Sequence, residues 1–474
     1  MKSVDVRNKY LNFFKNNGHV IVPSASLIPQ NDPTTLFISS GMQPLLPYFL
    51  GEKHPEGDKI VNSQVCLRAH GFMDDLLEVG DNRHTSLFEM LGNWSFGSYF
   101  KKEQINYFFQ FLTKELNLDP NKLYVSCFIG DTELGVSKDL ESVETWKEIF
   151  SKNGVSFDVV EFNSMEEAEE KGSKNARICL YPAKKNWWSR NGVPKNMPEG
   201  DIGGPDTEVF YEFDISHDEK FGKNCHPNCD CGRFLEIGNS VFTQYQKRNN
   251  KFEELPSKNV DFGGGLERLV AVSNNTDDVF ETDLYSEIIS GLENDLGIKY
   301  SENKPLFRII SDHMKSATFL GSYGVLPSNK SQGYVLRKFI RRSAVKIFLF
   351  GNKVSGNSQK SDFSMVLSKV PSYVFKIYEN VPESYGFGLN MAKLDEISGM
   401  IKTECESFKK VLESGYKIIQ KAKPEEFTGK FVFDLYQNQG FPFEVSYEIL
   451  KEKGVEISKD EFMLEFEKHR SVSK

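Results

Sequence analysis

Two arginine-containing segments have the residue types that bind a phosphorylated ligand. The first, Cys66-Leu67-Arg68, ends a predicted strand, and a polar loop containing Asp74 and Asp75 follows it. The second, Gly263-Gly264-Gly265-Leu266-Glu267-Arg268, lies between a predicted strand and a predicted helix. Glycines let the backbone approach a bulky ligand, and an arginine one turn into a helix offers forked, always-charged donors to a phosphate.

The glycine triplet has a second interpretation, which is close packing of a strand against a helix. It is not a Walker loop, because no Gly-Lys-Ser/Thr follows it. It is not a dinucleotide-binding fingerprint either, because no alternating strand–helix repeat surrounds it. Taken alone, the triplet is therefore weak evidence for a nucleotide site.

A dense group of thiols and imidazoles has the chemistry of a metal site. Cys225, His226, Cys229 and Cys231 fall within seven residues, and His217 is close by. Thiolate and imidazole ligands at this density suit tetrahedral Zn²⁺. We expect a structural zinc, with His226 or His217 as the fourth ligand. The alternative is a reduced hairpin loop with chance cysteines.

The charge distribution indicates one basic surface on an acidic protein. The formal net charge is -9, yet residues 313–361 contain no Asp or Glu and nine Lys or Arg. Such an island is what phosphate or RNA binding at a single surface requires. A helix with a solvated basic face is the alternative. The nine residues are Lys315, Lys330, Arg337, Lys338, Arg341, Arg342, Lys346, Lys353 and Lys360.

Length and composition exclude several classes of protein. The 474 residues are 39% hydrophobic, which is ample for packed cores and excludes a wholly disordered chain. No apolar stretch approaches the roughly 20 residues that span a bilayer, so no membrane contact is expected. Seven Cys in so long a chain are not a disulfide framework. We therefore expect a cytoplasmic protein.

The predicted elements indicate an α+β fold with a helical region after it. Apolar periodicity predicts helices near residues 6–14 and 105–116, and strands at 20–22, 122–130, 208–213, 235–245 and 259–262. These strands do not alternate evenly with helices, so a mostly antiparallel sheet flanked by helices is expected. A polar stretch at 273–276 predicts two domains, 1–275 and 276–474.

Four segments together resemble the class II aminoacyl-tRNA synthetases, and within them the alanyl-tRNA synthetase family. They are residues 37–43, 87–101, 260–268 and 326–337, in the family's order. The resemblance implies an antiparallel catalytic sheet and a helical tRNA-recognition domain. It implies a ligase that activates alanine with ATP and transfers it to the 3′ end of tRNA(Ala).

The resemblance assigns the nucleotide site residue by residue. Arg68 would hold the ATP α-phosphate, and Arg268 the far end of the bent triphosphate near the adenine. Asp75 and Glu267 would help to organise Mg²⁺ and the loop. Catalysis would then be positioning plus electrostatics, because two anions must be brought together. The remaining ATP-binding positions would be Met90, Trp188, Gly263 and Gly265.

The resemblance also assigns an alanine pocket. Asp261 matches the family's carboxylate for the substrate ammonium, and Trp188 matches a tryptophan between the amino-acid and nucleotide pockets. Gly263 would leave room for the ligand. Asn239 and Val241 match residues that line the pocket. Without the resemblance, Trp188 would be interpreted as a core aromatic.

Recognition of tRNA is assigned to the second half of the chain. Asn329 matches an asparagine that contacts the acceptor stem, and Arg337, Arg341 and Arg342 would contact backbone phosphates. Gln437 stands where the family has an Asp that partners this asparagine on a G·U pair. We therefore expect weak dependence on that pair, or recognition of a different one. Other departures from the family pattern are His70, Phe72 and Asp206.

Further expectations concern editing, association and the alternative functions. No editing-domain pattern and no C-terminal association module is found, so we expect a monomer without editing in cis, whether truncated or naturally minimal. Because an alanine pocket cannot exclude glycine sterically and rejects an added hydroxyl only weakly, mischarging is expected unless a separate trans-editing protein acts. The alternative functions are a paralogue that does not charge tRNA and a non-catalytic RNA-binding module.

Overall fold

The computed structural model describes residues 1–29, 35–69, 79–354 and 362–472. The chain forms two compact units that are not contiguous in sequence. The first contains residues 1–67, 88–284 and 380–387, and the second contains 68–87, 285–379 and 388–474. No helix among the described residues is long and apolar enough to cross a membrane.

The first unit is built on one mixed sheet of ten strands in the order β1-β2-β3-β10-β9-β8-β4-β6-β5, with β7 paired to β8. The α+β class is confirmed. The strands are β1 Val20–Ile21, β2 Lys59–Leu67, β3 Leu87–Phe96, β4 Leu123–Phe128, β5 Val159–Glu161, β6 Ile178–Tyr181, β7 Trp187–Ser189, β8 Ile202–Glu212, β9 Phe234–Arg248 and β10 Lys251–Gly265.

The helices of the first unit pack on this sheet. They are α1 Ser3–Asn16, α2 Leu46–Phe49, α3 Lys101–Gln110, α4 Leu140–Lys152, α5 Met165–Lys171, α6 Ala183–Asn186 and α7 Leu266–Ser273.

The edges of the sheet differ from the expected antiparallel pattern. The neighbouring strands β3, β10, β9, β8 and β4 form antiparallel pairs, each with the next. At the edges the pairing is parallel: β1 pairs with β2, and β6 pairs with both β4 and β5. Helices α4 and α5 separate β4, β5 and β6 along the chain. Crossover helices return each strand to the same end of the sheet, which makes its pairing parallel. The sequence pattern missed β5 and β6, which have three and four residues.

One face of the central strands is covered by α1 and α3. The ring of Phe262 on β10 lies 6.2 Å from the Tyr10 ring and 4.5 Å from the Phe108 ring. Arg7 on α1 forms a buried two-bond ion pair with Glu89 on β3, with both N–O distances at 2.7 Å. This pairing fixes α1 against β3 and leaves the opposite face of the strands for other contacts.

The second unit is mainly helical among its described residues. Helix α9 is buried along most of its length, and polar residues on it are buried too. The helices are α8 Ser286–Leu296, α9 Lys304–Ser322, α10 Ser331–Val354, α11 Phe363–Tyr378, α12 Leu394–Lys421, α13 Gly429–Gln439, α14 Phe443–Glu452 and α15 Lys459–Val472.

Candidate functional site

The register of four neighbouring strands places most of the predicted pocket residues on one face of the sheet. Directly opposed residues of paired strands share a face, and so do residues two apart along one strand. Asp261 is paired with Trp94 and Val241, and Gly263 with Gly92 and Asn239. Continuing to β8, Val241 is paired with Asp206 and Asn239 with Glu208.

Asp261 is the carboxylate at the centre of this face. It is buried, and its Oδ1 accepts a hydrogen bond of 2.7 Å from the indole N–H of Trp94. Burial raises the pKa of Asp261 to about 7, against the lowering effect of that hydrogen bond. Asp261 is therefore poised to ionise when a cationic ligand arrives near neutral pH.

Trp94 is a site residue that the sequence interpretation missed, although it lies in a quoted segment. Its ring needs two glycines as neighbours: an added Cβ would lie 2.2 Å from the ring at Gly92 and 2.6 Å at Gly41. The pattern Met90, Gly92, Trp94 places the three side-chain positions on one face at a spacing of two. That periodicity is the signal that could have identified Trp94.

Met90 and Gly263 face each other at the end of the row. A Cβ on Gly263 would lie 2.9 Å from Met90 Sδ, so a side chain there would displace Met90. Met90 Sδ also accepts a hydrogen bond of 3.2 Å from the Gly41 backbone N–H. In the structure, Gly263 thus makes room for Met90. Gly265 follows on the same face and is paired with Met90.

Trp188 lies beside this row, on the short strand β7. It is half-buried and is paired with Gly204 of β8. It packs against a hydrophobic cluster that contains Met42, Trp94 and Ile202. The structure therefore brings Trp188 and the indole that contacts Asp261 into one cluster.

Arg268 lies in the first turn of α7 and is held by β9. Its Nη1 donates to the backbone oxygen of Glu236 at 3.0 Å and to Glu236 Oε2 at 2.9 Å. The Arg268 side chain is 26% exposed, so it is only partly covered by protein. Glu236 is a partner that the sequence interpretation did not identify. Burial is the main cause that raises the pKa of Glu208, and the charge of Glu236 is the next.

Three further residues are predicted to be catalytic: Glu267, Arg68 and Asp75. Glu267 is 2% exposed, and its carboxylate accepts from the Glu89 backbone N–H at 3.2 Å, which indicates a structural contact between α7 and β3. Arg68 directly follows β2, is exposed and belongs to the second unit. Its backbone N–H donates to the backbone oxygen of Ser86 at 2.9 Å. Asp75 lies outside the described residues, as do Asp74, His70 and Phe72.

The cysteine group forms a compact cluster in the loop between β8 and β9. The ligand atoms of His217, Cys225, Cys229 and Cys231 all lie within 4.8 Å of one another. Hydrogen bonding from Cys225 lowers the pKa of the Cys229 thiol to about 6, which favours the thiolate that metals bind. Three sulfurs and one imidazole nitrogen match a tetrahedral donor set.

His226 is not part of this cluster, which corrects the first choice of fourth ligand. It is 1% exposed, and its Nδ1 lies 3.0 Å from the Tyr181 hydroxyl. Its ring also lies 6.1 Å from the Phe162 ring. The turn that carries Cys225 and Cys229 directs His226 into this aromatic core, and His217, from an earlier part of the same loop, lies with the three cysteines.

The basic island is largely paired with acids of the same helical unit. Arg337 and Arg341 share Glu404 at 3.3 and 2.7 Å. Arg342 is buried, pairs with Glu448 at 2.7 Å and lies 2.9 Å from His313 Nε2. The region is therefore less basic in the folded chain than in the sequence, because α12 and α14 supply the counter-charges.

The two predicted acceptor-stem residues are accessible. Asn329 is exposed and accepts a hydrogen bond from Arg337. Gln437, near the end of α13, is exposed, and its Nε2 lies 2.9 Å from Nε2 of His469 on α15. The Gln437 amide, which stands where the resemblance leads us to expect a carboxylate, thus lies beside an imidazole.

Comparison with known proteins gives one consistent family. A family model described as tRNA synthetases class II (A) matches residues 5–474. The alanine–tRNA ligase of Borrelia hermsii (strain HS1 / DAH) is 37% identical over 488 residues, which cover 100% of this chain and 73% of the relative. The alanine–tRNA ligase of Petrotoga mobilis (strain DSM 10674 / SJ95) is 36% identical over a match that covers 100% of this chain and 49% of the relative.

Among solved structures, a histidyl-tRNA synthetase of S. aureus covers 62% of this chain and 76% of its own, at 11% identity and a TM-score of 0.31. The sequence matches extend over the whole chain at a much higher identity, and they agree with the resemblance found from the motifs. The chain belongs to the alanine–tRNA ligase family of class II tRNA synthetases.

Proposed function

We propose that the chain is an alanine–tRNA ligase that uses ATP to form alanyl-adenylate and then charges the 3′ end of tRNA(Ala). In the first step an alanine carboxylate oxygen attacks the α-phosphorus of ATP, and pyrophosphate leaves. In the second step a hydroxyl of the terminal adenosine attacks the alanyl carbonyl carbon, and AMP leaves. The observation that carries this proposal is the buried Asp261 on a face shared with Met90, Gly263, Asn239 and Val241.

The amino-acid pocket follows from charge and size. An ionised Asp261 would accept from the alanine ammonium group, and its hydrogen bond to Trp94 keeps the carboxylate oriented. A buried charge needs such a partner. Trp188 and Val241 would enclose the methyl group, since both are apolar and close to this row.

The nucleotide would lie toward α7, where Arg268 is. Arg268 would exchange its contact with the Glu236 carboxylate for the triphosphate, whose charge is greater. Mg²⁺, when bound, would offset the repulsion between the triphosphate and the attacking carboxylate. Glu208 and Glu236 are the acids on this face that could hold it, because oxygen ligands suit Mg²⁺. Arg68, in the matching motif, would hold the α-phosphate.

For tRNA, Asn329, Arg337, Arg341 and Gln437 are the proposed contacts. The Arg337 and Arg341 side chains are 21% and 19% exposed, so each keeps donors for a phosphate. Arg342, at 8%, has its guanidinium committed to Glu448 and His313, and we assign it to the stability of the helical unit.

The proposed function is tested by two assays on the purified chain. Alanine-dependent exchange of pyrophosphate into ATP is expected without tRNA, and charging of a tRNA(Ala) transcript is expected with it. Leucine in place of alanine is the control. Exchange without charging would support a paralogue that modifies another acceptor, and the absence of both would contradict the proposal.

Removal of the Arg268 guanidinium should lower kcat/KM for ATP by about 10²- to 10³-fold, because one preorganised donor to developing charge is lost. Arg268→Lys should recover only part of this, since the forked geometry is lost. The exchange assay at varied ATP measures both. The matched control is Arg248→Ala, which removes another Arg–Glu pair from strands β9 and β10. Equal effects of Arg268→Ala and the control would contradict the assignment.

The raised pKa of Asp261 predicts the pH dependence of alanine use. The free carboxyl is neutral below about 7 and ionised above it, and only the ionised form pairs with an ammonium group. Therefore kcat/KM for alanine should rise about tenfold per pH unit up to that value and then level off. Asp261→Asn should remove this rise. A wild-type profile that is flat through neutral pH would contradict the role of Asp261.

We propose that His217, Cys225, Cys229 and Cys231 hold one structural Zn²⁺. Purified untagged protein should contain stoichiometric zinc, which His217→Ala should abolish and His226→Asn should leave in place. A chelator should remove the metal and lower the melting temperature. Cys405→Ser is the control, because Cys405 is buried in α12 outside the cluster. Wild-type protein without zinc, or His226 rather than His217 as the required residue, would contradict the site.

The Gln437 amide predicts weak dependence on the acceptor-stem G·U pair. Charging of two tRNA transcripts that differ only in this pair should differ by less than about tenfold, since an amide hydrogen bond discriminates less than one to a carboxylate. Gln437→Asp should increase the difference. A loss of several orders of magnitude with the wild-type protein would refute the prediction.

A further inference from the structure

A second buried carboxyl lies on the same face of the sheet. Asp206 on β8 is 2% exposed and is paired with Val241, which is in turn paired with Asp261. Within the described part of the chain, no Lys or Arg forms an ion pair with Asp206. Burial raises its pKa to about 8, against hydrogen bonds from Asn186 and Asn239 that lower it. Burial therefore favours the neutral form of this carboxyl.

Asp206 is held by an amide at the end of α6 and lies near a second amide on β9. Asn186 Nδ2 donates to Asp206 Oδ1 at 2.9 Å and to Ser126 Oγ at 2.7 Å. Asn186 directly precedes β7, the strand that carries Trp188. The Asn239 amide, on β9, is the second amide that acts on Asp206, and it lowers the pKa of this carboxyl. One carboxyl thus joins the strands of two predicted pocket residues.

The orientation of Asn239 leaves one atom unused. Only the nitrogen of the Asn239 amide can donate to the Asp206 carboxylate, which leaves Oδ1 for another partner. This oxygen is buried and has no hydrogen-bond partner among the described residues. Buried acceptors are normally satisfied, so an unpaired one in a native site calls for a ligand donor. Asn239 is paired with Gly263, one step along the face from Asp261.

We propose that Asp206 is a positioning residue for the amino-acid substrate: it fixes the Asn239 amide so that Oδ1 accepts a hydrogen bond from the substrate ammonium, beside Asp261. An ammonium group has three N–H donors and can satisfy both acceptors at once. As a neutral acid, Asp206 orients Asn239 without adding a second negative charge beside the substrate carboxylate. The inference rests on the proposed function and extends it to a residue outside the family pattern.

The test compares two isosteric variants in the alanine-dependent exchange assay. Asp206→Asn keeps an oxygen that accepts from both amides, whereas Asp206→Leu fills the same space without an acceptor. We expect Asp206→Leu to raise KM for alanine at least about tenfold, with KM for ATP within about twofold. Asp206→Asn should stay within about threefold of wild type for both substrates. Melting temperatures verify that each variant folds.

A double-mutant cycle separates positioning from general stability. Asn239→Ala should raise KM for alanine as Asp206→Leu does, and the double variant should be no worse than Asn239→Ala alone, because Asp206 acts through Asn239. If Asp206→Leu does not fold, Asp206→Ala takes its place in the cycle. Multiplicative effects, or unchanged KM for alanine in the Asp206 variant, would overturn the inference while leaving the proposed function intact. Absence of exchange in the wild type would overturn both.

Discussion

The antiparallel register of β3, β10, β9 and β8 is the constraint on which the candidate site depends. Each pairing fixes which side chains share a face, and here it aligns Trp94, Asp261, Val241 and Asp206 across four strands. A shift of one residue in any pairing would turn one member to the face covered by α1 and α3. The buried ion pair of Arg7 with Glu89 and the rings packed on Phe262 hold that opposite face in place.

Burial gives the site its chemistry, because no Lys or Arg of the described residues forms an ion pair with its two aspartates. Asp261 and Asp206 are both buried, and both have raised pKa values because water is excluded. Their hydrogen-bond donors are neutral: an indole for Asp261 and amides for Asp206. An arginine in either place would neutralise the acid and remove the attraction for an ammonium ligand. Arginine appears instead at the α7 end, where phosphate charge is proposed to lie.

The sequence predicted the general fold and the main strands of the site, since apolar periodicity and the glycine triplet are local signals. It did not predict β5 and β6, because such short strands pair only after crossover helices have brought them beside the sheet. For the fourth ligand of the predicted metal site it offered His226 first and His217 second, because His226 is the nearer in sequence. In the structure His226 contacts Tyr181, and His217 lies with the three cysteines. The ion pairs of the basic island could not be predicted either, since Glu404 and Glu448 are distant along the chain from the arginines that they neutralise.

The most direct measurement is a crystal structure of the chain with a non-hydrolysable alanyl-adenylate analogue. The account predicts that the analogue's ammonium nitrogen lies within about 3 Å of an Asp261 carboxylate oxygen and of Asn239 Oδ1, with Trp94 still donating to Asp261. An analogue bound with its ammonium group away from Asp261, or at another face of the sheet, would contradict the account.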